Sequence, residues 1–271
     1  MFGDYHIHTH FSSDSEASPS EYIEKAISMG MKELYFTDHM DFDYPYEDGK
    51  AMFQLDADAY FKELLELKEQ YRDRIKVKIG VELGLGSAVN ARNSEFSKKY
   101  DFDFVIGSSL MVGGIDPYYP AYWENRTVKE AIMTYFENVL RNVTSYKDYD
   151  VYGHLDYIRR YVPDKPYVYV DDDFYEITDM ILKNIISNGK GIELNTRGLS
   201  NGITYYIPTI TLLRRFKKLG GEIVTVGSDA HFNKDFGYAF KTAKDILINT
   251  GFKYITTFEN RTPSFVPLNI I

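Results

Sequence analysis

Short runs rich in β-branched residues alternate with amphipathic helical stretches along this chain, and that alternation limits its fold more than any other feature. Repeated β-α units pair their strands in parallel and lay the helices outside. Strands are expected at Asp4 to His8, Glu33 to Asp38, Val77 to Leu83, Asp103 to Ser108, Val151 to His154, Gly191 to Asn195 and Ile223 to Ser228, with an eighth candidate at Lys253 to Phe258. Helices are expected at Asp56 to Arg74, Val128 to Tyr146, Asp173 to Ser187, Thr209 to Leu219 and Phe240 to Asn249. A further helix precedes them, with Ser18 as N-cap, Pro19 in the first turn, Glu21 completing a capping box and Gly30 ending it. The 271 residues carry no linker or composition break. A closed α/β barrel, one domain over residues 1–271, is therefore favoured over an open doubly wound sheet.

Composition removes several function classes. With no cysteine, disulfides, thiolate zinc sites and cysteine nucleophiles are excluded, so any metal must be held by imidazole and carboxylate. A net charge of −9 argues against a nucleic-acid partner, which needs a basic face. Two or three bound divalent cations, adding roughly four to six positive charges, would convert an acidic pocket into an anion site. No run of apolar residues is long enough to span a bilayer and MFGDYHIHTHF does not resemble a signal peptide, so a soluble cytoplasmic protein is expected. Neither a dinucleotide nor a P-loop glycine motif follows the first strand, and no fixed-period repeat appears.

The chain has six histidines, and five of them, His6, His8, His39, His154 and His231, fall within or just past the C-terminal end of an expected strand. In a barrel those positions form one rim, where active sites are built. His6 and His8 are two apart, which puts both imidazoles on one face of a strand. Carboxylates share the rim: Glu82 in GVELG, Asp38 before His39, Asp229 before His231, and Asp14 on the loop after the first strand. A lone histidine is usually structural, and Asp14 alone could simply be solvated. A carboxylate ending an apolar strand, such as Glu82, is costly to bury without a cation or hydrogen-bond partner. His10 is expected behind the ligands or in solvent. Mixed imidazole and carboxylate donors suit zinc, iron or manganese. Arg160 and Arg197 also follow strands, and guanidinium forks match phosphate oxygens; Arg159 is expected at the surface.

In DYHIHTHFSSDS, FTDH, GVELG, GHLD and GSDAH, taken in order, the chain resembles the PHP (polymerase and histidinol phosphatase) family of phosphoesterases. GHLDYIRRY, ELNTR and DPYYP (Asp116 to Pro120) resemble its histidinol-phosphate phosphatase branch. The resemblance implies a distorted (β/α)7 TIM-like barrel and two or three divalent ions. His6, His8, Glu82 and Asp229 would hold the first ion, Glu82 and His154 the second, and Asp14, His39 and His231 the third. It implies hydrolysis of a phosphomonoester, L-histidinol phosphate, by a metal-activated hydroxide, releasing inorganic phosphate. Arg160 and Arg197 would bind the phosphoryl group, and Asp229 or His231 would protonate the leaving oxygen. Acidic residues such as Asp41 and Asp43 are candidates to attract the substrate amine, with tyrosines stacking on its imidazole.

The sequence departs from the family at GSSL, where Leu110 stands in place of a histidine of the second metal site. A degenerate protein that binds without turnover is therefore one alternative. Others are a PHP enzyme acting on another phosphorylated metabolite, a nucleotide or a DNA end, and an amidohydrolase, which also begins with HxH. Oligomeric state is not legible.

Overall fold

The computed structural model of the chain describes residues 2–47, 49–163, 169–200 and 206–270. Its strands are β1 (Glu33–Phe36), β2 (His39–Met40), β3 (Lys76–Gly84), β4 (Phe104–Ser108), β5 (Val151–Tyr152), β6 (Gly191–Asn195), β7 (Val224–Gly227), β8 (Tyr254–Glu259) and β9 (Thr262–Pro267). The helices are α1 (Pro19–Ser28), α2 (Ala57–Tyr71), α3 (Asn90–Lys99), α4 (Val128–Ser145), α5 (Tyr175–Ser187), α6 (Arg197–Ser200), α7 (Ile210–Lys218) and α8 (Phe240–Asn249). The parallel sheet runs β1-β3-β4-β5-β6-β7 and curls, with β2 resuming the path of β1 along β3.

Segment 4–8 lies between the two edges of this sheet. Ile7 bridges Phe36 on one side and Ala230 on the other. Tyr35 N–H donates to Asp4 O (2.8 Å) and Asp229 N–H to His6 O (2.7 Å). The segment thus closes the distorted seven-stranded barrel that the β-α alternation leads one to expect. It is less regular than a strand because side chains take its ladder bonds. Thr37 Oγ1 accepts from Ile7 N–H at 3.1 Å and Asp4 Oδ1 from His6 N–H at 3.3 Å. β5 stops early for the same reason, since His154 N–H, instead of continuing the ladder, donates to the Glu193 carboxylate at 2.9 Å.

Two sequence expectations are corrected. The eighth candidate strand is not a barrel stave: β8 pairs antiparallel with β9 in a separate hairpin. The hairpin packs under the barrel, with Phe258 against Phe104 at 4.9 Å and Phe258 O accepting from Tyr35 Oη at 2.9 Å. Its two-residue turn, Asn260 and Arg261, has positive φ at both positions (48° and 63°), the geometry that matches hairpin twist. Without the glycine that usually marks such turns, the hairpin was not readable locally. Second, Ser18 precedes α1 but caps nothing: its hydroxyl meets Ser20 Oγ at 2.9 Å. A complete capping box exists instead at α4, between Thr127 and Glu130. α3 and the short α6 were also not expected, and their low apolar content or brevity explains why.

Most of the aromatic residues serve the core. Tyr5, Tyr22, Tyr35, Tyr60 and Tyr135 are fully buried, and their hydroxyls find acceptors, the Glu33 carboxylate for Tyr5 and backbone carbonyls for the other four, as buried phenols must. Tyr22 Oη donates to Ala230 O at 3.1 Å and Tyr60 Oη to Gly80 O at 3.0 Å. Among the described residues, no helix is long and apolar enough to cross a membrane.

Candidate metal centre

The alternation of side chains along segment 4–8 turns His6 and His8 into the barrel while Ile7 packs outward, all three fully buried. Their Nε2 atoms lie 3.0 Å apart. On the next stave His39 stands level with Glu82 of β3 in the parallel register, so both face inward. Glu82 is the hub. Its Oε2 lies 3.2 Å from His6 Nε2, 3.4 Å from His8 Nε2 and 3.1 Å from His39 Nδ1, and its Oε1 lies 2.8 Å from His154 Nε2. Asp229 Oδ1 approaches His8 at 3.5 Å and His6 at 3.9 Å. His231 Nε2 meets Asp14 Oδ2 at 2.8 Å. His154 and Asp229 both sit at positive φ, 25° and 51°, which re-aims each side chain as its strand ends.

Every ligand expected from the sequence, His6, His8, Asp14, His39, Glu82, His154, Asp229 and His231, therefore lies in this one cluster. The donors fit divalent metal: three groups, His6-His8-Asp229, His6-Glu82-His154 and His8-His39-His231, each bring ligand atoms within 4.8 Å of one another. His8 stacks on His39 and lies against His231, each at 4.2 Å, a crowding of buried imidazoles that a shared positive charge would oppose unless their lone pairs met cations. Buried His39 Nδ1 and His154 Nδ1 also lack hydrogen-bond partners.

The electrostatics follow from burial and mutual charge. Burial disfavours charged His6, yet the carboxylates of Glu193, Glu82 and Asp229 outweigh it and hold its pKa well above normal. His39, likewise buried but facing Glu82 and Asp41, is raised to about 10. Burial and its imidazole neighbours push His8 well below the usual range, so it stays neutral. Burial alone would raise Glu82, but His39 and His6 hold it far below a normal carboxylate. His6 and His39 thus carry protons at neutral pH without metal, and a metal must displace them. Zinc binding is expected to release protons, and its apparent affinity to rise with pH from neutrality towards about 10. Titration calorimetry in buffers of different ionisation enthalpy checks this; an enthalpy independent of buffer would refute it.

The remaining expectations divide. Arg160 and Arg197 reach the same cleft: Arg197 Nη1 donates to Asp229 Oδ1 at 2.9 Å, and Arg160 Nη2 lies 3.5 Å from Asp229 Oδ2. Arg159 is not a surface residue. It turns away to Asp156 (3.2 Å) and the Tyr169 ring. His10 is exposed and pairs with Glu63 at 3.4 Å, outside the cluster. Asp41 and Asp43 do not border the cleft. Asp41 is buried behind His39 at 3.5 Å, whereas Asp116, bonded by Tyr118 N–H at 2.8 Å, lines the cleft beside the cluster's own Asp14, Glu82 and Asp229. Asp38 holds the loop after segment 4–8, accepting from Thr9 N–H at 2.7 Å and Ser12 Oγ at 2.7 Å.

Sequence reasoning missed Glu193 and Asn195 of β6. Glu193 Oε1 is 2.6 Å from His6 Nδ1, and Asn195 Nδ2 donates to Asp229 Oδ2 at 3.3 Å. A signal existed, for GIELN presents a carboxylate on an apolar strand just as GVELG does. Leu110 borders the cleft together with Glu82 and His154. Leu110→His is therefore expected to raise the metal content by up to one ion per chain, measured by mass spectrometry of the metal; an unchanged ratio would count against this placement.

Known proteins share this arrangement of sequence and fold. Residues 4–197 match the PHP domain family. The chain is 36% identical over 258 residues to a histidinol-phosphatase of Lactococcus lactis subsp. lactis (strain IL1403), covering 94% of this chain and 93% of that protein. It is 35% identical over 269 residues to a probable histidinol-phosphatase of Clostridium acetobutylicum, covering 96% and 98%. The crystal structure of histidinol phosphate phosphatase from L. lactis, complexed with zinc, L-histidinol and phosphate, superimposes with a TM-score of 0.90 at 33% identity, over 97% of this chain and 100% of that one. A Listeria monocytogenes structure at 19% identity and TM-score 0.74 shares the fold. With more than half its length matched by one family and its near-full length by these relatives, this chain belongs to the PHP domain family.

Proposed function

We propose that this chain is a metal-dependent phosphomonoester hydrolase acting on L-histidinol phosphate, and that it works in the cytoplasm. One observation carries the chemistry: two guanidinium groups and the histidine-carboxylate cluster open on the same cleft. The substrate rests on the near-full-length similarity to histidinol-phosphatases.

His6, His8, Glu82 and Asp229 would hold one ion, Glu82 and His154 a second, and Asp14, His39 and His231 a third. When bound, divalent ions lower the pKa of water from about 15.7 towards 7 and neutralise phosphoryl oxygens. Arg160 and Arg197 orient the phosphoryl group, with forked N–H donors suited to its oxygens. Asp229 enters as a carboxylate: burial would raise its pKa, but Arg197, His6, His231 and Arg160 lower it well below normal. It is therefore ionised at neutral pH and has no proton to give the leaving oxygen. His231, with Nδ1 3.5 Å from Asp229 Oδ1, is the neighbouring group for protonating the leaving oxygen. Asp116 faces the amine-bearing portion, in the role first considered for Asp41 and Asp43, and Tyr157 and Tyr161 add aromatic wall.

Leu110 favours one rival, a degenerate site that binds without turnover. Phosphate release from histidinol phosphate by metal-reconstituted protein, beside other phosphomonoesters and a nucleotide, separates the readings. Histidinol phosphate is expected to react at least tenfold faster than the others. Equal slow cleavage of all would remove the substrate claim, and metal binding with no cleavage would establish the degenerate reading.

A further inference from the structure

Glu193 is 1% exposed and does not reach the cleft, so it cannot touch a substrate there. Its two oxygens are nevertheless divided between two staves of the barrel. Oε1 sits 2.6 Å from His6 Nδ1. Oε2 accepts from the backbone N–H of His154 at 2.9 Å and from Asn195 Nδ2 at 3.2 Å. The fold keeps room for this carboxylate: a Cβ on Gly227 would stand 2.2 Å from Glu193 Oε1 and 2.3 Å from His6 Cβ.

Each contact controls a different property. At Oε1, the carboxylate can only accept, so His6 carries its ring proton on Nδ1. Once a metal displaces its second proton, Nε2, the atom 3.0 Å from His8 Nε2 and 3.2 Å from Glu82 Oε2, directs its lone pair into the cluster. At Oε2, the hydrogen bond holds His154 N–H where φ is 25°, a left-handed conformation that costs a non-glycine residue free energy and persists only when its surroundings impose it.

We propose that Glu193 is a positioning residue for the metal centre, one carboxylate that fixes the His6 tautomer and at the same time locks the backbone that presents His154. The inference rests on the proposed metal-dependent reading. A carboxylate is required because both of its ends must accept. In Glu193→Gln one end becomes a donor. Turned towards His154 and Asn195, the new NH2 would confront two donors. Turned towards His6, it confronts one nitrogen that can respond by accepting, which moves the ring proton to Nε2, the atom that faces the cluster. The second orientation is the easier one, so the expected lesion is a wrong His6 tautomer in a folded protein.

The test uses the full chain and zinc alone as the probe. Zinc affinity, measured by competition with a chromophoric chelator, is expected to fall 10–100-fold in Glu193→Gln. In metal-free protein, at a pH high enough to leave His6 neutral, 15N spectra of the histidine rings should show the His6 proton moving from Nδ1 to Nε2, a signature that loss of packing would not produce. Glu193→Asp, which retains two accepting oxygens, should keep the Nδ1 proton and lose less affinity, and it guards against misfolding of the Gln variant. Unchanged zinc affinity in Glu193→Gln, or an unchanged His6 tautomer, would overturn the proposal. Wild-type protein that binds no zinc would instead sink the metal-dependent reading itself, so the two failures are distinguishable.

Discussion

Glu82→Gln should reduce kcat/KM for phosphate release by about a thousandfold or more, equivalent to about 4 kcal/mol of transition-state stabilisation, and should lower the metal content by at least one ion per chain. The reason lies in its contacts. One oxygen reaches three imidazoles between 3.1 and 3.4 Å and the other reaches His154 at 2.8 Å, so this side chain would serve the first two ions and contacts His39, a proposed ligand of the third. Gln keeps the shape but loses the charge and one acceptor, and an amide cannot bridge two cations as a carboxylate does. Metal-free protein should lose stability as well. The folded pKa of Glu82 is held low, so its contribution is present above the ordinary carboxylate range and lost as pH falls through the lowered value. At neutral pH the Gln variant leaves His6 and His39 charged without that partner, and its thermal midpoint should drop even before metal is added. Full metal content with activity within tenfold of wild type would contradict the hub assignment.

Arg197→Ala should reduce kcat/KM by about a hundredfold, or roughly 3 kcal/mol, in keeping with removal of one preorganised donor at an anionic transition state. Its position supports this. It follows β6 directly, 2.9 Å from Asp229 Oδ1 and 3.1 Å from Asp229 O, with Nη1 also against His231. An incoming phosphoryl group would compete with Asp229 for that guanidinium. Inhibition by inorganic phosphate should weaken in parallel, while metal content at saturating metal should stay at the wild-type value, which separates this variant from Glu82→Gln. Arg197→Lys should recover only part of the loss, because an ammonium supplies charge without the planar fork. A large loss of metal in Arg197→Ala would move Arg197 from phosphate binding to support of Asp229.

Much of the site could be read before any coordinates because metal chemistry demands rare residue types. Cysteine is absent and histidine scarce, so five imidazoles at strand ends could hardly be scattered by chance, and β-α alternation implied that strand ends converge. The cluster bears this out to within hydrogen-bond distances. Residues whose identity is common were harder. Asp41, Asp43 and Asp116 are all acidic and all follow strands, yet only Asp116 reaches the cleft, because loop path and not residue type decides which one faces inward. Ser18 carried a capping signal as good as that of Thr127, and its hydroxyl chose Ser20 instead.

What the sequence by itself determined was the order of β-α units, the inward pair His6 and His8, and a ligand set confined to imidazole and carboxylate. Periodicity and donor chemistry are local properties that survive without knowledge of neighbours. The tertiary structure alone decided that segment 4–8 seals the ring, that β8 leaves the barrel for a hairpin beneath it, and that Glu193 reaches across from β6 to His6 and His154. Each of those depends on which polar group takes a particular backbone or ring N–H. That choice is made between residues far apart in the chain, 187 positions for His6 and Glu193 and 223 for Tyr35 and Phe258, only after the chain has closed on itself.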